Sequence, residues 1–190
     1  MNNSRPQLPR ETQRLVLRPV SMEFAGVMQE AIDETFEDLQ PWMPWSVEPQ
    51  SFGETKEFLA AAERRVLNGE DFSVVAFLRA GGEFALGCGL YPTDWSVPKF
   101  EIGYPCRRSL QGKGYVTETV GALTLIAFQE LSANQVEIRC DSRNVRSARV
   151  AELAGCRLEA KLRSHARAND GSLRDTLIHA MLAEDFMGEG

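Results

Sequence analysis

Residues 111–117, which read Gln-Gly-Lys-Gly-Tyr-Val-Thr, have the composition of an anion-binding loop. Gly112 and Gly114 can adopt positive φ and let a ligand approach the main chain closely. The segment opens a long helix with an apolar face, whose first-turn N–H groups lack intrahelical partners and carry the positive end of the helix dipole. These features together favour a phosphate group. An ordinary loop-to-helix turn can have the same glycine pair, so other motifs must support the interpretation.

Two familiar nucleotide-binding loops fit this glycine pair poorly. A Walker A loop requires G-x-x-x-x-G-K-[ST], and the chain lacks that spacing. A dinucleotide-binding fold requires a third glycine where Thr117 stands, although Asp141 could replace its ribose-binding carboxylate. A third interpretation uses an ordered set of motifs: a strand ending at Tyr104, the glycine pair, a strand over residues 136–140, and Asn-Val-Arg-Ser at 144–147.

Hydrophobic periodicity predicts the elements that position these motifs. Apolar spacing of three and four predicts helices over residues 22–32, 55–67, 115–131 and 144–154. β-prone or alternating runs predict strands over residues 14–20, 72–78, 84–91, 100–104, 136–140, 157–163 and 173–182. The predicted fold class is α/β (α+β): a mixed central sheet with an antiparallel N-terminal meander and a later strand–helix–strand–helix unit.

Length and composition limit the class of protein. The chain has 190 residues, 43% of them hydrophobic, which predicts one domain over residues 13–187 after a flexible leader at 1–12. A net charge of -6 argues against binding to nucleic acid. The sequence lacks a signal peptide and an apolar run of about 18 residues that could cross a bilayer. Four scattered cysteines and two isolated histidines predict no metal site. We therefore expect a cytoplasmic protein that binds neither nucleic acid nor membrane.

The ordered motifs resemble those of the GNAT superfamily of acyl-CoA N-acyltransferases, and specifically its RimJ/RimL-like branch. The resemblance covers most of the chain. It comprises Arg-Leu-Val-Leu-Arg at 14–18, the segment 39–45, Glu-Ile-Gly-Tyr at 101–104, the glycine pair, Asn144-x-x-Ser147, and Arg174-Asp175. Several motifs in the family's order and spacing are more specific than any one of them. The resemblance implies a GNAT-like fold and an acetyl-CoA-dependent N-acetyltransferase that needs no metal.

The resemblance also implies a set of cofactor contacts. Main-chain N–H groups of the glycine loop would cradle the pyrophosphate of acetyl-CoA, with Gln111 opening the loop. The implied loop contacts are Gln111, Gly112, Lys113, Gly114, Tyr115, Val116 and Thr117. The pantetheine arm would run beside residues 104–106, which are Tyr104, Pro105 and Cys106, and Asn144 would hydrogen-bond it. Three residues depart from the family pattern: Val116 could crowd the pyrophosphate or pack inward, Pro105 lacks a donor, and Cys156 replaces an aromatic residue, which is a change of packing only.

Candidate catalytic groups follow from the proton transfers that acetylation of an amine requires. At neutral pH, removing the proton costs about 1 to 1.4 kcal/mol for an α-amino group and about 4.6 for lysine, so a modest base suffices for an N-terminal amine. Strand alternation turns Glu101 away from Phe100 and Ile102, which makes it the candidate base unless it is only a solvated carboxylate. By the resemblance, Ser147 would hydrogen-bond or protonate the departing thiolate. It could equally be a helix cap.

The acceptor and the class of mechanism stay open at this level. Trp42 and Trp45 lie in a loop bracketed by prolines, where they could line an acceptor cleft or fill the core. The acceptor could be a basic protein N-terminus or a small-molecule amine. Cys106 could form a covalent intermediate, although direct transfer in a ternary complex is preferred. A noncatalytic acyl-CoA sensor of the same fold is the alternative function. An exposed late strand, together with the resemblance, allows a homodimer.

Overall fold

Alternating apolar residues form one mixed β-sheet in the computed structural model, which describes residues 6–188. The strands are Arg10–Glu11 (β1), Leu15–Pro19 (β2), Phe72–Leu78 (β3), Phe84–Asp94 (β4), Lys99–Gly103 (β5), Gln135–Asp141 (β6), Arg157–Arg167 (β7) and Leu173–Leu182 (β8). Their order across the sheet is β1-β2-β3-β4-β5-β6-β8-β7. Neighbouring strands are antiparallel except β5 and β6, which are parallel. The predicted α+β class with a mixed sheet and an N-terminal meander is therefore confirmed.

Helices cover both faces of this sheet. They are Ala25–Leu39 (α1), Phe52–Asn68 (α2), Tyr115–Gln129 (α3), Val145–Leu153 (α4) and Ala183–Gly188 (α5). α1 and α2 pack on the face of β3 and β4, over an apolar cluster that contains Met28 and Leu59. α3 and α4 pack on the opposite face, over a larger cluster that contains Phe100 and Ile138. The two faces of the sheet consequently have separate cores.

Capping residues in the sequence predict some of the helix ends that the structure shows, but not all of them. Gly69 ends α2 with φ 71°, as predicted. α2 begins at Phe52, three residues before the predicted start, because Ser51 and Glu54 form a capping box. The predicted cap Ser21 precedes a single 3₁₀ turn, Met22–Phe24, and α1 begins only after that turn.

The two ends of the chain differ from the sequence expectation. Residues 1–5 of the predicted leader lie outside the described residues, whereas Arg10–Glu11 pair with β2. α5 was not predicted, and its Phe186 stacks on Phe128 of α3 with ring centroids 4.9 Å apart. In the part of the chain that the structure describes, no helix combines the length and apolar character needed to cross a membrane.

The parallel pair β5 and β6 is the feature that positions the site. Its ladder covers only Lys99–Glu101 on β5 and Gln135–Glu137 on β6. Beyond those residues β6 pairs with β8 alone, while the chain after β5 returns to β4 through a bridge between Leu86 and Cys106. β5 and β6 are therefore not hydrogen-bonded to each other at their carboxyl ends. We call the space between residues 102–106 and 138–141 the strand gap.

Candidate functional site

The glycine loop at residues 111–117 has the geometry of an anion site. Gly112 and Gly114 have φ of 72° and 82°, the left-handed region that glycine adopts without strain. Gly114 is the N-cap residue of α3, and no side chain caps this helix end. The first-turn N–H groups of α3 therefore keep their capacity to donate. A Cβ built on Gly112 would meet nothing within 4 Å, so the loop is open to a ligand. This arrangement fits a pyrophosphate group.

Arg14, at the edge of β2, braces this loop. Its Nη1 donates to the carbonyl oxygen of Lys113 at 2.9 Å, and its Nε donates to Oε2 of Glu118 at 2.6 Å. The guanidinium also lies over the ring of Tyr115, 4.7 Å from the centroid. Sequence reasoning recognised Arg14 only as part of a strand motif, because its partners lie a hundred residues away in the chain. The contacts make Arg14 a positioning residue for the loop and place a positive charge beside it.

Replacing Arg14 with alanine is expected to weaken acetyl-CoA binding about tenfold, because a charge-assisted hydrogen bond contributes about 1.5 to 3 kcal/mol and part of that is recovered by water. Isothermal titration calorimetry measures the change. Arg18→Ala is the matched control: its guanidinium lies 4.8 Å from the ring centroid of Phe24 and pairs with Glu23, away from the loop. Equal affinity losses in both variants would contradict the bracing role.

The structure shows the contacts of Val116 and Pro105, two residues that depart from the family pattern. Val116 packs against the larger core cluster, so its side chain points inward. Pro105 accepts a hydrogen bond on its carbonyl oxygen from the backbone N–H of Gly87 at 3.2 Å. Gln111 connects the loop to its surroundings, since its Nε2 donates to the carbonyl oxygen of Cys106 at 3.2 Å and its Oε1 accepts from Arg146 at 3.3 Å.

Ser147 and Tyr104 meet on the α4 side of the strand gap. The side-chain oxygen of Asn144 accepts from the backbone N–H of Ser147 at 3.0 Å, so Asn144 caps α4 and the interpretation of Ser147 as the cap is wrong. The Ser147 hydroxyl is free of that role and lies 3.0 Å from the hydroxyl of Tyr104. Burial raises the pKa of Tyr104 to about 12, and the hydrogen bond to Ser147 opposes that shift. The Tyr104 phenol is therefore protonated throughout the physiological range.

Glu101 lies on the opposite face of β5. It is directly across from Glu137 on β6. Glu137 is only 4% exposed, and its Oε1 lies 3.5 Å from Nε of Arg139. Burial raises the pKa of Glu101; the charge of Arg139 lowers it and that of Glu137 raises it. Sequence reasoning did not select Glu137 as a site residue, although it alternates with apolar neighbours in β6 as Glu101 does in β5. Glu101 is thus a half-buried carboxyl with a raised pKa at the edge of the gap.

Cys106 is a poor nucleophile in this structure. Burial raises the pKa of its thiol to about 11, which leaves it neutral near pH 7. The adjacent arginines do not activate it, because their guanidinium groups pair with acidic residues of α1. Arg107 pairs with Glu34 at 2.6 Å, and Arg108 pairs with Asp38 at 2.9 Å. Both arginines, and the acidic residues that they contact, are therefore engaged in ion pairs with one another.

The two tryptophans of the α1–α2 loop lie in different places. Trp45 lines a cavity of about 440 Å³ between α1, α2 and the sheet, which we call the acceptor-side cavity because Gly103 and Tyr104 form part of its wall. Trp42 lines a separate cleft between this loop and the β7–β8 hairpin. There Asn169 donates to the carbonyl oxygen of Met43 at 2.9 Å. The structure therefore does not bring Trp42 and Trp45 into one binding surface.

A comparison with protein-family models matches most of the chain. Residues 14–157 match the model of the acetyltransferase (GNAT) domain. This range contains β2 through α4, and hence the glycine loop, Glu101, Tyr104, Asn144 and Ser147.

Individual relatives agree with the family match over nearly the whole chain. YdaF of Bacillus subtilis (strain 168), provisionally named a ribosomal N-acetyltransferase, is 28% identical over 180 residues, 93% of this chain and 96% of that protein. A structure of RimL, a ribosomal α-N-protein acetyltransferase, in complex with coenzyme A has a TM-score of 0.86 at 19% identity and covers 94% of this chain and 99% of that one. The microcin self-immunity acetyltransferase MccE, in complex with acetyl-CoA and AMP, has a TM-score of 0.82 at 18% identity over 90% and 93% of the two chains.

Proposed function

The chain belongs to the GNAT family of acetyl-CoA-dependent N-acetyltransferases, and we propose that it acetylates a primary amine by direct transfer in a ternary complex. One observation carries this proposal. A half-buried carboxyl, Glu101, and a hydrogen-bonded hydroxyl pair, Tyr104 and Ser147, lie on opposite faces of β5 beside one strand gap. A base and an acid separated in this way suit a reaction that takes a proton from the acceptor and returns one to the leaving group.

The glycine loop and the strand gap would hold different parts of acetyl-CoA. First-turn N–H groups of α3, with Gly112 and Gly114, would hold the pyrophosphate, and the backbone of residues 104–106 would line the pantetheine arm. The side-chain oxygen of Asn144 is occupied by its cap hydrogen bond, which leaves its amide nitrogen to donate. Acetyl-CoA supplies an acyl group activated as a thioester. Val116 packs against the core and does not occupy the space beside Gly112.

Glu101 is the proposed general base. It shares a face of β5 with Gly103, which lines the acceptor-side cavity two residues further on, or roughly 7 Å along the strand. Tyr91, the β4 partner of Glu101, lies over Gly103 and lines the same cavity, so an ammonium group entering from it would approach the Glu101 carboxylate past the Tyr91 ring, directly or through one water. Since burial raises the pKa of Glu101, its carboxylate binds a proton more readily than a solvated one does. Such a base is adequate for an amine whose pKa is near 8.

Ser147 and Tyr104 are the proposed proton donors to sulfur. Tyr104 can donate its proton to Ser147 Oγ, with which it is in contact at 3.0 Å. In that arrangement the Ser147 proton does not point at Tyr104 and is available to a sulfur atom in the gap. As the carbon–sulfur bond breaks, that proton can stabilise the developing thiolate. Asn144 fixes the position of the Ser147 backbone, from which this hydroxyl projects.

Replacing Ser147 with alanine is expected to lower kcat about tenfold while the dissociation constant for acetyl-CoA stays unchanged. The loss should lie below the 10² to 10⁴ usual for acid–base catalysis, because a thiol with a pKa near 8.5 leaves readily without full protonation. Steady-state kinetics with thiol detection measures the effect. Cys106→Ala serves as the comparison and should keep most of the activity. Loss of all turnover in the cysteine variant, with folding and cofactor binding intact, would instead support a covalent mechanism.

The acceptor is proposed to be an α-amino group. The named activities of YdaF and RimL concern ribosomal proteins, and RimL acts on an α-amine. The energetic argument points the same way, since an α-amine loses its proton at neutral pH at a cost about 3 kcal/mol lower than that for lysine. A protein N-terminus and a small α-amine share this chemistry.

A panel of amines tests the proposal. Acetyl-CoA is first titrated into the protein by calorimetry, and thiol release is then followed with peptide N-termini, polyamines and aminoglycosides. We expect binding of acetyl-CoA and thiol release that depends on an added amine, strongest for α-amines at neutral pH. Binding without release for any amine would refute the proposed transfer.

A further inference from the structure

We infer that the acceptor-side cavity selects amines that carry a bulky apolar group, and that Gly87 and Ala31 form the opposing walls that admit this group. The inference rests on the proposed function, because it concerns which amine the site takes. It is argued from the side chains that line this cavity.

The wall of the cavity is mostly apolar, with a few polar side chains such as Thr35, Gln50 and Ser73. α1 contributes Met28, Ala31, Ile32 and Leu39; the α1–α2 loop contributes Met43 and Trp45; α2 contributes Phe58; and the sheet contributes Val74 and Phe84. The charged groups on the wall are paired. Arg65 binds Asp71 at 2.6 Å, and Arg107 binds Glu34 at 2.6 Å. A ligand group entering this space therefore gains by being apolar and finds no unpaired charge to bind.

Glycines on two neighbouring strands make the floor of the cavity. The ring of Tyr91 lies over Gly89 and Gly103: a Cβ built on Gly89 would lie 3.0 Å from its atoms, and one built on Gly103 would lie 3.4 Å away. Tyr91 therefore occupies the space above these two residues. At Gly87, by contrast, the nearest atoms to a built Cβ are Met28 Cε and Pro105 Cγ, both at 3.9 Å. These are ordinary van der Waals distances, so the space above Gly87 admits a side-chain atom without a clash, unlike that above Gly89.

The size of the cavity indicates the size of the group. Its volume of about 440 Å³ falls in the range of roughly 300 to 1,000 Å³ that small-ligand pockets span. A methyl side chain next to the reacting amine would leave most of this volume unfilled. An aromatic or branched aliphatic side chain would replace water there and bury its own apolar surface.

Two amino-acid amides of similar amine pKa test the inference: alaninamide and phenylalaninamide. They differ in the side chain next to the α-amine, so a difference in kcat/KM reports the environment of that side chain. We expect phenylalaninamide to be preferred by about 10- to 100-fold, which is the usual value for burying an aromatic side chain. Equal kcat/KM values for the two amides would overturn the inference and leave the proposed function intact. If acetyl-CoA binds but neither amide nor any other amine is acetylated, both proposals fail.

Variants that fill the cavity from opposite walls locate the selectivity. Gly87→Leu fills it from the sheet and Ala31→Leu from α1, so each should remove the preference for phenylalaninamide while alaninamide is still acetylated. Gly26→Leu is the matched control, because Gly26 is exposed on α1 with nothing within 4 Å of a built Cβ. It should keep the wild-type preference. Gly87→Ala provides a smaller change if the larger variants do not fold. A preference that survives every filling variant that folds and binds acetyl-CoA would contradict the assignment.

Discussion

Replacing Gly114 with valine is expected to lower the affinity for acetyl-CoA by about 100-fold or more. Gly114 has φ of 82°, and a β-branched residue at positive φ is strained, so the loop has to change its conformation. A Cβ there would also lie 3.3 Å from Nη2 of Arg14, the residue that braces the loop. Two hydrogen bonds to a charged pyrophosphate, at about 1.5 to 3 kcal/mol each, amount to at least two orders of magnitude in the dissociation constant. Calorimetric titration measures this loss.

The control for backbone strain is Gly171→Val. Gly171 also has φ of 82°, lies in the β7–β8 hairpin, and has nothing within 4 Å of a built Cβ. Both variants should lose about 1 to 2 kcal/mol of unfolding free energy, the usual cost of the left-handed conformation. Only the change at Gly114 should weaken acetyl-CoA binding. Wild-type affinity in a folded Gly114→Val protein would place the pyrophosphate elsewhere.

Replacing Glu101 with glutamine is expected to lower kcat/KM by about 10² to 10⁴, the usual contribution of a general base. The substitution keeps the shape of the side chain and removes its ability to accept a proton. In the wild type, activity should fall as the pH decreases through the pKa of Glu101, since only the carboxylate acts as a base. Because burial raises this pKa, that fall should lie above the ordinary glutamate value of about 4.3. Rate measurements across pH with a saturating α-amine show the position of the fall.

Glu159→Gln is the matched control for this change. Glu159 is exposed on β7, where it accepts a hydrogen bond from Gln135 at 3.2 Å. Its substitution should leave both the rate and the pH profile unchanged. A Glu101→Gln enzyme with near wild-type kcat/KM, or with the same dependence on low pH, would show that another group removes the proton.

The glycine loop could be predicted from the sequence because its determinants are local. Gly112 and Gly114 favour positive φ through their lack of a Cβ, and α3 begins at Tyr115, where the motif predicts a helix. The stop of α2 at Gly69 has the same local origin. Strand alternation also assigned Glu101 to the face opposite Phe100, since side-chain direction in a strand depends only on position.

Contacts between distant segments could not be predicted in this way. Arg14 and Glu118 are separated by 104 positions, and their ion pair depends on how β2 and α3 pack. The ion-pair partners Glu34 of Arg107 and Asp38 of Arg108 are likewise on α1, about 70 positions earlier in the chain. Trp42 illustrates the same limit. It is three residues from Trp45, yet loop geometry places the two side chains in different cavities.

A crystal structure with coenzyme A bound tests the central claim most directly. We expect the pyrophosphate oxygens within about 3 Å of main-chain nitrogens of the glycine loop and the first turn of α3, a normal hydrogen-bond distance. The thiol should lie in the strand gap, within reach of Ser147 Oγ. Coenzyme A bound at another surface, with the loop amides turned to solvent or to a neighbouring side chain, would contradict the account.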